Sequence, residues 1–379
     1  MADTQIKNIL FIAHSPDFYG ADKVLYQVID KIRNSFNVHV VLPGPGEMQG
    51  RLEKLSDVEL SFLPLPRFSL AGKDIGANVV TFLPFSRAFK KLLTRLKPDL
   101  VYGNTVRSVI PVALARRFGY RTLVHFHEHN VPGKAGSLIA KLANRASDRN
   151  IFVCRSALES YAVFSPDLNR KSRVIYNGID PMPTKGDLSM PQVFQDREPR
   201  LLSVGQLASH KRIGDLLEAM PAILAVYPSA MLVILGEGDS RQELENSIKE
   251  LGLADNVSLP GYVTDILPLL SAADMFLAPF EKEACNMAVI EAMAAAKPVV
   301  ASHGGGMPEL VEEGVTGYLY PTGDIVQLTE RILHLAGLKE LQERFGEAAS
   351  LRVKEKFNLD SQVKKIIHEI ETGIGGGEE

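Results

Sequence analysis

The feature that most constrains the fold is a regular alternation of short apolar runs with helix-length amphipathic segments. The apolar runs have the length of strands and are continuous rather than alternating, as in Ile9–Ala13 and Met231–Leu235. Continuous apolar strands that are separated by helices are typical of parallel sheets covered on both faces. The sequence therefore predicts an α/β protein with doubly wound, Rossmann-like sheets.

The predicted strands form two sets of six. The first set comprises Ile9–Ala13, Val38–Leu42, Leu100–Tyr102, Thr122–Phe126, Ile151–Val153 and Arg173–Tyr176. The second set comprises Leu201–Val204, Met231–Leu235, Val257–Leu259, Met275–Ala278, Val299–Ala301 and Gly317–Tyr320. Because ligands bind beyond the carboxyl ends of parallel strands, we expect functional residues just after these strands.

The two sets are separated by a stretch that is typical of a linker. From Asp180 to Pro199 the chain combines four prolines with polar residues. A length of 379 residues suits two domains better than one. We predict an N-terminal domain over 1–180, a linker over 181–199, a C-terminal domain over 200–355, a C-terminal helix over 356–372 that could return to the N-terminal domain, and a disordered tail over 373–379.

The composition is typical of a globular protein outside the membrane, with 45% hydrophobic and 23% charged residues. The apolar runs are far shorter than the roughly 20 residues of a membrane-spanning helix. The N-terminus lacks the pattern of a signal peptide. Cys154 and Cys285 cannot form a disulfide framework or a metal cluster alone. We therefore expect a cytoplasmic protein.

The charge is divided unevenly along the chain. Residues 1–190 carry a formal charge of +10 and the remainder carries −13, which hints at an anionic partner for the first part. The predicted helix Pro84–Pro98 shares this bias, with an apolar stripe beside the basic residues Arg87, Lys90, Lys91, Arg95 and Lys97. This helix is either an ordinary domain helix with a solvated face or a surface attracted to an anionic membrane or a lipid-linked diphosphate.

Two glutamates flank the start of a predicted helix. Glu283 lies in the loop after the strand Met275–Ala278, and Glu291 follows it after seven residues. The backbone N–H groups of Ala284 to Met287 would be unpaired donors at the helix start, which is an arrangement suited to a diphosphate. Carboxylates beside such a site can accept hydrogen bonds from sugar hydroxyls. The alternative is two surface glutamates, because short motifs often match by chance.

This glutamate pair resembles the C-terminal signature of glycosyltransferase family 4, whose members are retaining enzymes of the GT-B fold. The resemblance covers nearly the whole chain and implies two Rossmann-like domains facing each other across a cleft. It also implies that Glu283 contacts the donor sugar and that Glu291 holds the ribose of the nucleotide. Relatives have Gly-Phe-Gly after the first glutamate, whereas this chain has Ala284, Cys285 and Asn286, so its donor pocket differs from the usual one.

The loop after the strand Leu201–Val204 continues the resemblance. Lys211 matches the lysine that holds the donor diphosphate in relatives. The helix dipole disfavours a cation at a helix start, so a lysine in this position indicates an anion to bind. A solvated lysine is the alternative. Gln206 stands where relatives have an arginine, and it lacks the charge and the forked donors of that residue. The neighbouring Arg212 could compensate for this replacement.

Weaker matches complete the predicted donor site. Gly236 lies in a glycine-containing loop after a strand, and Tyr262 and Val263 match the loop that meets the nucleotide base in relatives. Gly20 matches one glycine of the pair that lets the backbone approach the donor phosphate. Met287 is included because it contributes a backbone N–H group at the predicted helix start.

Three alternating histidines follow Thr122–Val124, at the end of the predicted strand and just beyond it. His125, His127 and His129 could suggest a metal site, but three ligands from one strand could not close around zinc. In relatives, a histidine followed by glutamate lies close to the reacting sugar after this strand, and His127 with Glu128 is the best match. We expect His125 to pack or to form hydrogen bonds beneath it.

The resemblance to family 4 implies a retaining, hexosyltransferase-type enzyme, and we expect it to act without a metal or another cofactor. It would move a sugar from a nucleoside diphosphate sugar, with UDP favoured, to a glycolipid or polysaccharide acceptor bound by the N-terminal domain, in cell-surface glycan synthesis. His127, Lys211 and Glu283 are the predicted catalytic residues, and nucleic acid is not an expected partner. The alternatives are a non-catalytic scaffold that keeps the fold and a nucleotide-sugar epimerase. The oligomeric state does not follow from the sequence.

Overall fold

The structure is a computed structural model that describes residues 6–65, 75–181 and 189–375, with residues 75–81 described by their backbone alone. The chain divides into two compact units, Met1–Asn177 with Asp360–Glu379 and Gly178–Leu359. Each unit is built on a parallel β-sheet, so the predicted doubly wound α/β class is confirmed.

The first unit has a seven-stranded sheet in the order β3-β2-β1-β4-β5-β6-β7. Its strands are β1 (Asn8–Ile12), β2 (Asn37–Leu42), β3 (Val58–Phe62), β4 (Leu100–Asn104), β5 (Thr122–Phe126), β6 (Arg149–Phe152) and β7 (Ser172–Val174). The helices between them are α1 (Gly20–Ile32), α2 (Glu47–Leu52), α3 (Ile75–Leu96), α4 (Val109–Arg117), α5 (Gly133–Ala146) and α6 (Arg155–Ala162).

The second unit has a six-stranded sheet in the order β10-β9-β8-β11-β12-β13. Its strands are β8 (Arg200–Val204), β9 (Met231–Leu235), β10 (Val257–Gly261), β11 (Met275–Ala278), β12 (Val299–Ser302) and β13 (Gly317–Tyr320). Its helices are α7 (Ile213–Val226), α8 (Arg241–Glu250), α9 (Leu267–Ala272), α10 (Met287–Ala294), α11 (Met307–Leu310), α12 (Ile325–Ala336) and α13 (Lys339–Lys356), and α14 (Leu359–Gly375) follows them.

The central strands form the core because apolar side chains occupy consecutive positions along them. Ile9 to Ile12 in β1 and Met275 to Ala278 in β11 are each at most 1% exposed. The direction of winding reverses between β1 and β4 and between β8 and β11. At such points the loops after the carboxyl ends of neighbouring strands diverge and leave a crevice for ligands. Within each unit, the loops at this edge are therefore the places to look for function.

All twelve predicted strands are present within two residues of their expected bounds, but β3 was not predicted. Glu59 and Ser61 interrupt its apolar run, because β3 is an edge strand whose side chains are half-buried or exposed. Both polar side chains reach His39 on the neighbouring strand, at 3.2 Å from Glu59 and 2.8 Å from Ser61. Cross-strand polar contacts thus replace the apolar pattern that marks the central strands.

The unit boundary lies between Asn177 and Gly178, slightly before the predicted linker. Within the range 181–199, residues 182–188 lie outside the described residues, and Phe194 is buried in the second unit. The N–H group of Glu198 donates to the carbonyl of Ser229 at 3.3 Å, which ties the end of this range to the same unit.

The helix α14 belongs to the first unit from Asp360 onward. The guanidinium of Arg149 donates to the carboxylate of Glu369 at 2.9 Å, so the helix is tied to the start of β6. Residues Gly373–Gly375, which we expected in a disordered tail, continue this helix, and 376–379 lie outside the described residues. Among the helices described, none has the length and apolar character that crossing a membrane requires.

Candidate functional site

The loop after β8 brings Lys211 to the carboxyl edge of the second sheet. The short 3₁₀ helix Ser209–Lys211 is followed by Arg212, whose left-handed backbone (φ 49°, ψ 35°) opens α7. The N–H group of Glu281 donates to the carbonyl of His210 at 3.1 Å. This hydrogen bond ties the loop after β8 to the loop after β11, which carries the first predicted glutamate.

The Glu283 carboxylate links these two loops through its side chain. Its Oε1 pairs with the ammonium of Lys211, and its Oε2 accepts a hydrogen bond from the amide of Asn286 at 3.1 Å. The Lys211 Nζ also lies 4.8 Å from the ring centroid of Phe280. The two charged side chains are only 10% and 19% exposed, so each needs the other to offset its lost hydration.

Asn286 joins this ion pair to the start of α10. Its Oδ1 accepts a hydrogen bond from the N–H group of Val289 at 3.1 Å, and the residue is the N-cap of the helix. The predicted residues beside it, Ala284, Cys285 and Met287, are buried. Glu291, which is separated from Glu283 by seven residues, is on α10 and is also buried.

Close backbone approaches shape the rest of this edge. A Cβ atom on Gly236 would lie 1.9 Å from the carbonyl oxygen of Gly205, and Gly236 has a φ of +137°. A Cβ atom on Gly304 would lie 2.5 Å from the carbonyl oxygen of Glu281. Both positions require glycine because another residue would clash with backbone. The predicted Gly236 is thus placed by packing of the loops after β8 and β9.

Other predicted donor residues are not part of this cluster. Gln206 is exposed, and Tyr262 and the half-buried Val263 follow β10. Arg212 donates two hydrogen bonds, of 2.8 and 3.0 Å, to the carboxylate of Asp215. We expected Arg212 to compensate for Gln206, but its guanidinium is already bound by both carboxylate oxygens of Asp215 in the first turn of α7.

The three histidines at the end of β5 and just after it lie in the first unit, in two different environments. His125 Nδ1 shares a 2.6 Å hydrogen bond with the buried Tyr102 hydroxyl, and the ring centroids of His125 and His127 are 4.1 Å apart. His129 instead contacts Ser156, with 3.0 Å between Nε2 and Oγ. Among the described residues there is no group of three or more His, Cys, Asp or Glu side chains that could hold a metal ion.

Burial keeps the rings of His125 and His127 uncharged near neutral pH. It lowers the pKa of His125 to about 3, and it lowers the pKa of His127 well below the usual range with help from the neighbouring His125 and His14. Within the described part of the chain, the buried Nε2 atoms of His125 and His127 have no hydrogen-bond partner. His127 therefore presents a neutral imidazole that can exchange hydrogen bonds with a hydroxyl group.

Glu128 is used by the protein itself. Its two carboxylate oxygens accept hydrogen bonds from the N–H groups of Val106 at 2.8 Å and His127 at 2.9 Å. Burial raises its pKa, while these hydrogen bonds and Arg107 act in the opposite direction. The side chain braces the loops after β4 and β5 and so helps to hold His127 at the edge of the sheet.

Sequence reasoning did not single out Asp22 and His14 as site residues. The Asp22 carboxylate is fully buried, with Oδ1 3.4 Å from His14 Nδ1. Burial raises the pKa of Asp22 to about 7, and burial together with Arg107 lowers the pKa of His14 to about 4. The available signal was the position of His14, two residues after the end of β1. The nearby Gly20 starts α1, and a Cβ there would contact nothing within 4 Å, so packing alone does not require a glycine.

Two family descriptions match the chain, Glycosyltransferase Family 4 over residues 19–182 and Glycosyl transferases group 1 over residues 187–352. An uncharacterized glycosyltransferase of Methanocaldococcus jannaschii is 32% identical over 248 residues, which cover 62% of this chain and 63% of that protein. The N-acetyl-alpha-D-glucosaminyl L-malate synthase of Bacillus anthracis is 27% identical over 266 residues, which cover 68% of each chain. The match thus spans less than two thirds of the first relative.

Solved structures show the same fold over nearly the whole chain. HepE of Anabaena, in complex with UDP, has a TM-score of 0.82 at 21% identity, covering 96% of this chain and 100% of HepE. Sucrose-phosphate synthase of Thermosynechococcus elongatus has a TM-score of 0.79 at 20% identity, covering 98% of this chain and 100% of that enzyme. The chain belongs to glycosyltransferase family 4 and has the GT-B fold.

Proposed function

We propose that this family 4 member transfers a sugar from a nucleoside diphosphate sugar, with UDP favoured, to a hydroxyl of a glycan or lipid-linked acceptor. The observation that carries the proposal is the shielded pair of Lys211 and Glu283 at the winding reversal of the second sheet. A cation beside a carboxylate suits a ligand in which an anionic diphosphate adjoins sugar hydroxyls. The UDP and UDP-glucose complexes of HepE, which shares the fold, support this choice of donor.

On the donor side, Lys211 would balance the negative charge that develops on the leaving diphosphate. Backbone N–H groups at the start of α10 would add to this stabilisation. Glu283 would accept a hydrogen bond from a sugar hydroxyl, and Glu291 would hold the ribose. The proposal assigns the positive charge to the protein and includes neither a metal nor another cofactor.

On the acceptor side, the neutral imidazole of His127 would hydrogen-bond to the transferred sugar or to the attacking hydroxyl. We propose retention of the anomeric configuration by a front-face route. The bond from the anomeric carbon to the diphosphate oxygen breaks, the bond to the acceptor oxygen forms on the same face, and the acceptor proton passes to the departing diphosphate. A double displacement would instead need a carboxylate that acts as a nucleophile. Glu283 does not suit that role, because its two carboxylate oxygens are already paired with Lys211 and Asn286.

Calorimetry and a transfer assay test this function. Wild-type protein should bind UDP and UDP-glucose and should bind a GDP-sugar less tightly. Sugar transfer to an acceptor mixture should fall sharply in Lys211→Ala and Glu283→Ala, and NMR of the product should show the anomeric configuration of the donor. Absence of nucleotide-sugar binding by the wild type, or transfer by both variants at the wild-type rate, would refute the proposal.

A non-catalytic, nucleotide-binding role is the second candidate, and it is favoured by the hydrogen bonds that hold Arg212 on Asp215. Relatives use an arginine where this chain has the exposed Gln206, and Arg212 is held by Asp215. The site thus has one cation fewer for the diphosphate. This role predicts binding of UDP and UDP-glucose without transfer or hydrolysis, so the same two measurements separate the candidates.

The basic first half supports a peripheral contact with an anionic membrane surface from the cytoplasmic side, in the assembly of cell-surface glycans. On α3, Phe85, Phe89 and Leu93 are buried, whereas Arg87 and Lys90 are exposed. The apolar stripe is used by the core, so this attraction would be electrostatic. The protein should sediment with vesicles that contain phosphatidylglycerol and not with phosphatidylcholine vesicles, and added salt should release it.

A further inference from the structure

Glu283 is held through both carboxylate oxygens. Lys211 pairs with Oε1, and the Asn286 amide donates to Oε2 at 3.1 Å. The other charged side chains of this loop, Glu281 and Lys282, pair with each other at 3.0 Å. Lys211 is therefore the charged partner of Glu283 within the described residues, and Asn286 is an uncharged second partner.

Asn286 can hold Glu283 in one orientation of its amide only. Its Oδ1 accepts from the N–H group of Val289, so its NH₂ group must face Oε2. The reverse orientation would set oxygen against oxygen at Glu283 and NH₂ against N–H at Val289. Because the residue is buried and also caps α10, the helix itself fixes the direction of the donor.

The contacts of Lys211 are less specific in direction than those of Asn286. Its ammonium rests near the Phe280 ring and on one carboxylate oxygen, and an ammonium is a point charge that can exchange partners. A diphosphate carries more negative charge than a carboxylate and would compete for Lys211. When Lys211 turns to the diphosphate, Oε1 becomes available to a sugar hydroxyl, whereas Oε2 keeps its partner.

We propose that Asn286 is a positioning residue, which holds Oε2 of Glu283 while Oε1 passes from Lys211 to a hydroxyl of the donor sugar. This inference rests on the proposed function and extends it to a residue that replaces the last glycine of the Gly-Phe-Gly segment in relatives. Asn286 acts through Glu283. It supplies the fixed point that the carboxylate needs when its cation leaves.

The test is Asn286→Asp, which keeps an oxygen to cap α10 but loses the donor to Glu283. Calorimetry would compare UDP with UDP-glucose. We expect UDP affinity to stay within about threefold of wild type and the added affinity from the sugar to fall by about tenfold, the loss expected for one hydrogen bond to a charged group. Transfer of the sugar should fall by a similar factor.

The pH profile separates positioning from a structural role. In Asn286→Asp, two carboxylates lie side by side, and at lower pH one proton shared between them restores a donor to the pair. The variant should therefore regain sugar affinity relative to wild type as the pH falls from about 8 to about 6. The double variant Glu283→Gln with Asn286→Asp should show no such recovery.

Two further variants serve as controls. Asn286→Gly removes the donor at little cost to the helix cap, so it should lose sugar affinity without recovery at low pH. Asp324→Ala removes the cap of α12, where Asp324 accepts from Gln327 at 2.9 Å, and should lower stability without changing the preference for UDP-glucose over UDP. An unchanged sugar contribution and pH profile in both Asn286 variants would overturn the inference, whereas a wild type that binds no nucleotide sugar would overturn the proposed function itself.

Discussion

The two units have the same reversal of winding at the carboxyl edge of the sheet, but the side chains at these two edges differ in charge. In the second unit, the ammonium of Lys211 pairs with the carboxylate of Glu283, so that each offsets the lost hydration of the other. In the first unit, burial lowers the pKa of His125 and of His127, so both rings are neutral near pH 7. One edge thus offers permanent charge and the other offers neutral hydrogen-bonding groups.

This difference matches the two chemistries of the proposed reaction. A diphosphate needs a permanent cation, whereas a sugar or acceptor hydroxyl needs a partner that can both donate and accept without attracting the diphosphate. A neutral imidazole with an unpartnered Nε2 satisfies the second need.

The largest effect is expected at the charged edge. Lys211→Ala removes the proposed counter-charge of the leaving group, so kcat/KM should fall by about a hundredfold or more, with weaker UDP binding. Glu283→Ala should lower sugar transfer with less effect on UDP. Because removal of either side chain leaves the other shielded charge without its partner, the double variant should be little worse than Lys211→Ala. Strictly additive losses in the kinetic assay would show that the pair does not work as a unit.

A smaller effect is expected at the neutral edge. His127→Phe keeps an aromatic ring but removes both hydrogen-bonding nitrogens, so kcat should fall by about ten- to a hundredfold. The dissociation constant of UDP, measured by calorimetry, should not change, because the diphosphate contacts are assigned to the other unit. A loss of UDP affinity equal to the loss of kcat would contradict the separation of the two edges.

The neutral histidines also predict an acid-sensitive first unit. In the unfolded chain His14, His125 and His127 bind protons below about pH 6.5, whereas the folded chain resists this, so stability should fall as the pH falls below that value. Asp22, with a pKa raised to about 7, acts in the opposite sense, because its proton is retained in the folded state between about pH 4 and 7. Three histidines outweigh one carboxyl group.

Urea unfolding at several pH values measures this slope. His125→Phe should lower the slope of unfolding free energy against pH by up to about 1.4 kcal/mol per pH unit below pH 6.5. Asp22→Asn should gain stability relative to wild type as the pH rises from about 5 to 8, since the amide does not ionise. Equal slopes for wild type and His125→Phe would show that this histidine titrates normally.

The smallest effect is expected for Arg212. Its guanidinium is half-buried and donates to both carboxylate oxygens of Asp215, so these donors are already used within the first turn of α7. Arg212→Ala should therefore change UDP affinity by less than about threefold. A loss comparable with that of Lys211→Ala, measured by the same calorimetry, would restore Arg212 as the substitute for the arginine of relatives.

How far the sequence predicts the site differs between residues. Lys211 and Glu283 were chosen from different strand-end loops, and the structure brings them into direct contact. Asn286 was included as a backbone donor at a helix start, but its side chain turned out to be the second partner of Glu283. The roles assigned to Gly20, Gln206, Tyr262 and Val263 stay predictions, because they concern contacts with a ligand.

The sequence by itself determined the order and nature of the elements, because continuous apolar runs have few ways to be buried other than as central strands between helices. It also determined that a lysine and a glutamate follow two of these strands. Only the tertiary structure decided the partners of each polar group: Asn286 with Glu283, Arg212 with Asp215, and Asp22 with His14. The physical reason is range. An apolar run that will be buried consists of neighbouring residues, so it can be recognised in the sequence. A hydrogen bond or a lowered pKa depends instead on loops from distant positions in the chain that approach within a few ångströms.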